Sequence, residues 1–197
     1  MLRDIHQIRN APAFGMTAVE GLLTVEEMLQ ESMRFVPFCR EHRDVWSPHF
    51  ARIILEAASQ VDSIWKATAL IAAPNGPNLK ITDHFLAFGP LVARQQVVFF
   101  GGATPSTVCP FGVWQQSDFL APPWWDAYNK LKHDRFSNQS EATLGHAVNS
   151  IAALMLALIY SAQCDLGLPA AIASDNVDMD FPRIRNVNPR TINCCNA

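Results

Sequence analysis

Long hydrophobic runs are missing from this chain of 197 residues. The longest, Ile151 to Tyr160, falls well short of the roughly 18 apolar residues that a membrane-spanning helix needs. No membrane partner is therefore expected. The first ten residues, MLRDIHQIRN, carry charge where a secretory signal would place its apolar stretch. CxxC pairs are absent too. The five cysteines (Cys39, Cys109, Cys164, Cys194 and Cys195) are an odd number at unrelated spacings, which excludes a disulfide framework or a zinc ribbon. The chain reads as cytoplasmic, with reduced thiols. Charge is sparse: 15 Lys+Arg against 18 Asp+Glu leave a net −3, which excludes wrapping of nucleic acid by an overall basic surface but leaves room for a local patch. HExxH, GxSxG, a phosphate-binding glycine loop and a dinucleotide fingerprint are all lacking, so those enzyme classes lose their usual support and neither a cofactor nor a metal is expected.

What is present is enough apolar surface for a core. Hydrophobic residues make up 49% of the chain, and at this length one domain is the default. Thr17 or Thr24 can cap a first helix reaching about Phe35. Ser47 followed by Pro48 predicts the start of a second, because the serine oxygen accepts an orphan amide and proline at the first position sacrifices no hydrogen bond. Phe50, Ile54, Ala57, Val61, Ile64 and Trp65 then mark one face, Asp62 and Lys66 can pair across one turn, and Pro74-Asn75-Gly76-Pro77 ends the run.

Residues 78–120 read as an insertion. It would hold a short helix from Thr82 to Phe88 closed by Gly89-Pro90, a strand over Arg94 to Phe100 and a second strand over Val108 to Trp114. Pro122-Pro123 opens a third long helix, Trp124 to Phe136. Asn138 with Glu141 fits a capping box, which predicts a fourth helix from about Ser140 to Gln163. The expected architecture is mostly α: a four-helix up-and-down bundle over residues 1–167, a small β-containing insertion, and an extended or weakly ordered tail over 168–197. Asp175, Asp178 and Asp180 in that tail lack the rest of a calcium loop and read as solvated charge.

The segment WWDAYNKLKHDRF, Trp124 to Phe136, concentrates the unusual side chains. At ~100° per residue, Trp124, Tyr128, Leu131 and Arg135 share one face; Trp125, Asn129, Lys132, His133 and Phe136 share the other. Asn129 and His133, one turn apart, can act on the same group, with the charge of Lys132 beside them. Metal-independent RNA cleavage needs a group that transfers a proton near neutral pH and a cation to stabilise charge on phosphorus. His133 suits the first role, Lys132 the second, and Asn129 can position the substrate. Arg135, Trp125 and Tyr128 are the candidate phosphate- and substrate-binding residues. The unpaired N–H groups at the start of the following helix would add to anion binding. The same Lys, His and Arg also simply complement the negative end of a helix dipole, with the aromatics as ordinary core. Arg40, His42, Arg43 and His49, around the start of the second helix, read as solvated surface; His84 and His146 read as packing histidines.

Two stretches, WSPHFARIILEAASQVDSIWKA (Trp46 to Ala67) and WWDAYNKLKHDRFSNQSEATLGHAVNSIAALMLAL (Trp124 to Leu158), resemble the HEPN superfamily of helical domains (higher eukaryotes and prokaryotes nucleotide-binding). YNKLKHDR is similar to the N-x-x-K-H segment of some bacterial members. The resemblance implies an up-and-down bundle that commonly dimerises, an RNA or nucleotide partner, and a metal-independent endoribonuclease of a toxin or defence system. It carries over Asn129, Lys132 and His133. The usual Arg-x4–6-His motif is absent at the last helix, since Arg135 is followed by no histidine until His146. A non-catalytic homodimeric module, docking a protein partner through the same aromatic and basic helix, is the alternative.

Overall fold

A computed structural model describes residues 15–72, 79–99, 106–116, 118–160 and 184–187. Most of the described residues are helical. Helix α1 spans Gly15–Ser32, α2 Pro48–Ala72, α3 Ile81–Val92, α4 Pro123–His133 and α5 Leu144–Tyr160; strands β1 Gln96–Phe99, β2 Ser106–Val108 and β3 Ile184–Val187 complete the order. Among the described residues, no helix is long and apolar enough to cross a membrane.

Helix α2 starts where its sequence predicts. The Ser47 hydroxyl accepts from the His49 N–H at 3.2 Å, Pro48 is the first helical residue, and Lys66 Nζ donates to Asp62 Oδ2 at 2.6 Å. Its apolar face packs most extensively on α5, whose residues from Ile151 to Leu158 are all buried. Each such Ile, Leu or Val contributes about 1.5–3 kcal/mol by leaving water. Helix α1 lies against α2 and α5, and the missing side chain of Gly21 makes room for Gln60: a Cβ there would stand 2.2 Å from Gln60 Oε1.

The starts of α2 and α5 are stitched together. Trp46 and Thr143 form an isolated antiparallel bridge, and Ser47 N–H donates to the Ala142 carbonyl at 3.0 Å. Both helices therefore begin at one end of the molecule. Helix α4 also reaches that end, since Lys130 near its end pairs with Glu141, two residues before Thr143.

Three local expectations are corrected. Gly89-Pro90 does not close the helix of the insertion; α3 continues to Val92. Pro90 has no N–H for the Leu86 carbonyl, but both residues lie on the exposed side, where solvent can substitute. Val108 to Trp114 is not a strand beyond its first residue: the chain turns at Pro110 and forms a 3₁₀ turn over Gly112–Gln115. The third correction concerns Asn138 and Glu141, which do not cap a helix starting at Ser140. Residues Gln139–Glu141 form a 3₁₀ turn, and α5 begins at Leu144 with Thr143 Oγ1 accepting from the His146 N–H at 3.1 Å.

In the sheet, β1 is central, between β2 and β3, and both pairings are antiparallel. Its four residues are buried on both faces, as a covered central strand requires. Val97 opposes Val108 on one side and Asn186 on the other, so part of the expected tail is an ordered strand. The rest of residues 168–197, including Asp175, Asp178 and Asp180, lies outside the described residues, as do Cys164, Cys194 and Cys195. Neither Cys39 nor Cys109 is in a disulfide.

Candidate functional site

The candidate site is the last turn of α4 and the loop that follows. The helix is held by its aromatic side. Trp124 is 1% exposed, its indole N–H donates to the Pro110 carbonyl at 2.8 Å, and its ring meets Phe111 edge-on at 5.7 Å. Trp125 is buried as well, 5.6 Å from Trp124 and 5.3 Å from Tyr128. Ala127, Tyr128 and Leu131 complete the packed arc. Trp125 therefore does not share the solvent face with Asn129 and His133, as a half-and-half division of the helix predicts. The covered arc runs from Ala127 through Trp124 and Tyr128 as far as Trp125, because α4 packs on both α2 and α5.

The polar side chains point the other way. Lys132, His133 and Arg135 are exposed and Asn129 is half-buried. Among the described residues, none of the four side chains makes a hydrogen bond or an ion pair, so their donors remain open to a ligand. Lys132 Nζ stands 5.2 Å from the centre of the Tyr128 ring, a cation–π contact that orients the ammonium without neutralising it. Tyr128 thus acts as a floor beneath Lys132 rather than as an exposed stacking surface. His133 is the last helical residue and Asp134 leaves the helix, so Arg135 sits in the turn and not on the helical face with Tyr128.

The turn is fixed by its own hydrogen bonds. Asn138 Nδ2 donates to the carbonyls of Asp134 at 2.7 Å and Lys130 at 3.3 Å, and so satisfies the end of α4 instead of the beginning of α5. The Asp134 carboxylate accepts from Ser137 N–H at 3.1 Å, and its hydrogen bonds with Ser137 hold it below its ordinary pKa. Lys130 Nζ meets Glu141 Oε1 at 2.6 Å, and that hydrogen bond raises the ammonium above its usual range. The exposed cations at 132 and 135 are therefore mounted on an ordered turn.

The start of α5 does not contribute an anion site. Leu144 N–H donates to the Val45 carbonyl at 2.9 Å, Gly145 N–H to the Arg43 carbonyl at 2.8 Å, and His146 N–H to Thr143 Oγ1. The first three amides of α5 are therefore already occupied. Gly145 is glycine for the same reason: a Cβ would lie 2.6 Å from Arg43 Cγ and 3.2 Å from the Arg43 carbonyl oxygen. The segment from Arg43 to Ser47 is thereby brought beside the start of α5, which its distance in sequence did not predict.

Three of the other histidines, His42, His84 and His146, are internally engaged, whereas His49 is exposed. His146 Nδ1 donates to the Glu141 carbonyl at 2.8 Å, and His42 Nδ1 to that of Pro37 at 2.8 Å. His84 is 1% exposed, packed on Trp65 at 5.1 Å, with Nε2 3.8 Å from Asp62 Oδ1 and no hydrogen-bond partner among the described residues. That distance is too long for a hydrogen bond. Burial pushes the Asp62 carboxyl up, but the attraction of His84 and Lys66 outweighs it, and the net pKa is lowered. Among the described residues, no three His, Cys, Asp or Glu side chains are grouped to hold a metal ion. Comparison with protein-family models, curated proteins and solved structures finds no match to this chain.

Proposed function

We propose that the chain is a HEPN-like, cytoplasmic RNA-interacting protein whose α1, α2, α4 and α5 form the four-helix bundle and whose α4 terminal turn is the working site. One observation supports this reading above the others: Lys132, His133 and Arg135 are exposed and without hydrogen-bonded or ionic partners among the described residues, on a turn that Asn138 and Glu141 hold in place. In the proposed reaction the His133 imidazole takes the proton of a ribose 2′-hydroxyl. The 2′-oxygen then bonds to phosphorus as the bond from phosphorus to the 5′-oxygen breaks, leaving a cyclic phosphate. The departing oxygen takes a proton from water, Lys132 and Arg135 stabilise the charge on phosphorus, and Asn129 positions the phosphate. Two copies brought together would double the few groups that one helix supplies, so a homodimer is the working form we favour. The test is incubation of labelled RNA with the protein in EDTA beside His133→Ala. Cleavage by the first and not the second supports the reading; inactivity of both removes the nuclease claim.

A second reading, a non-catalytic interaction or scaffold module, is favoured by Phe136, which is 86% exposed at the tip of the same turn. In this reading the Phe136 ring would seat in a pocket of the partner. Phe136→Ala would then abolish association in sedimentation while RNA binding is undetectable in both proteins.

A further inference from the structure

Four of the five tryptophans are core residues: Trp65, Trp114, Trp124 and Trp125 are between 0% and 7% exposed, and each meets another ring. Trp46 is 50% exposed, and its side chain makes no ring contact or hydrogen bond with a described residue. Its backbone, by contrast, is held. Trp46 pairs with Thr143, Leu144 N–H donates to the Val45 carbonyl at 2.9 Å, and Ser47 N–H donates to the Ala142 carbonyl at 3.0 Å. Those hydrogen bonds flank the Trp46–Thr143 pair rather than join it, so the two side chains leave the same face as close neighbours. An exposed indole on a fixed backbone has only side-chain freedom to lose when something binds it.

Val45 apart, the residues next to the indole along the chain and across the bridge are polar: Arg43, Asp44, Ser47 and Thr143. The Arg43 stem lies over Gly145, whose Cβ would stand 2.6 Å from Arg43 Cγ, and among the described residues its side chain makes no ion pair or hydrogen bond. The α4 turn is reached from the same place. Thr143 N–H donates to the Glu141 carbonyl at 2.9 Å, Glu141 Oε1 meets Lys130 Nζ at 2.6 Å, and Asp134 N–H donates to the Lys130 carbonyl at 2.9 Å. A continuous series of contacts thus connects Trp46 to the turn that bears Lys132, His133 and Arg135. A flat apolar ring among polar neighbours suits a ligand that is apolar on its face and polar at its edges, as a nucleobase is. An apolar protein pocket closing over the ring would have to bury Arg43 and Asp44 with it, at the cost of their desolvation.

We propose that Trp46 is the stacking platform for an unpaired base of an RNA strand whose phosphates lie on the α4 turn, so that the substrate class is single-stranded RNA; this rests on the reading of that turn given above. The test is titration of the full chain with a single-stranded RNA and with the same strand in a duplex, for the parent protein, Trp46→Ala and Trp46→Phe. The single strand should quench tryptophan emission in the parent protein but not in Trp46→Ala, whose four remaining indoles are buried. Trp46→Ala should bind the single strand about tenfold more weakly with an unchanged salt slope, because no phosphate contact is lost, and Trp46→Phe should regain most of that affinity. Duplex affinity should be the same in all three proteins. Trp46→Leu, apolar but without a flat face, takes the place of Trp46→Ala if the latter does not fold. Unchanged affinity of Trp46→Ala for the single strand would overturn the stacking proposal and leave the α4 turn standing, provided Lys132→Ala/Arg135→Ala still weakens binding. Equal weakening toward strand and duplex, no quenching in the parent protein, or a change in sedimentation without one in RNA affinity would also overturn it. Absence of RNA binding by the parent protein would remove the reading of the turn and this proposal together.

Discussion

The end of α4 and the start of α5 face each other across ten residues, yet they treat their terminal backbone groups and side chains differently. At the start of α5 every early amide is taken, by the carbonyls of Arg43 and Val45 and by the Thr143 hydroxyl. At the end of α4 the last carbonyls are taken by Asn138, while the cations on the same turn keep their donors unused. A helix N-terminus is thus an anion site only while its amides remain unclaimed; here the connection before α2 has claimed them. Binding capacity shifts from backbone to side chains, and with it to Lys132, His133 and Arg135.

The comparison can be broken from either side. The largest effect should come from the support of α4. Trp124→Ala removes a buried indole and its hydrogen bond to Pro110, and should cost about 3–5 kcal/mol in urea unfolding. Next is the stitch at α5: Gly145→Val displaces the Arg43 side chain and crowds the Arg43 carbonyl oxygen, which cannot retreat without giving up its bond to residue 145. We expect a loss of about 1–3 kcal/mol on the same measurement. Thr143→Ala, which removes only the cap, should cost about 1 kcal/mol.

A pH effect of comparable size separates both regions from α1. Burial raises the Glu26 carboxyl from 4.5 to about 7. In the folded chain it therefore keeps its proton after the unfolded chain has lost it, so stability falls as pH rises from 4.5 to about 7 and then levels. Glu26→Gln should match the parent protein at pH 4 and exceed it at pH 8 by about 1–3 kcal/mol, read by urea titration at the two pH values. The smallest effect on stability belongs to the candidate site itself: Lys132→Ala and His133→Ala, on an exposed turn, should each change it by less than about 0.5 kcal/mol.

Much of this was legible where the signal is local. Ser47-Pro48 and the Asp62–Lys66 pair follow from residues within a few positions of each other. Asn138 and Glu141 show where such reading stops. Their spacing satisfies a capping box, but Glu141 is drawn to Lys130, eleven residues back, and the helix start is taken by carbonyls from residues 43 and 45. Nothing in the local pattern encodes those partners. Trp125 lies by helical angle beside Asn129 yet is buried for a related reason, since how far the covered arc extends depends on two neighbouring helices. The edge contact of Phe85 with Trp114 joins residues of separate elements and had no mark in sequence beyond its aromatic content.

The central claim is that the exposed cations of the α4 turn engage a polyanion. It is tested most directly by titrating fluorescently labelled single-stranded RNA with the full chain over a salt series, beside a Lys132→Ala/Arg135→Ala variant shown by circular dichroism to keep its helix content. The account predicts that affinity falls with salt and that the double variant binds more weakly with a shallower salt slope, each lost phosphate contact reducing that slope by about 0.7. Equal affinity and equal slope in the two proteins, or no RNA binding by either, would contradict it.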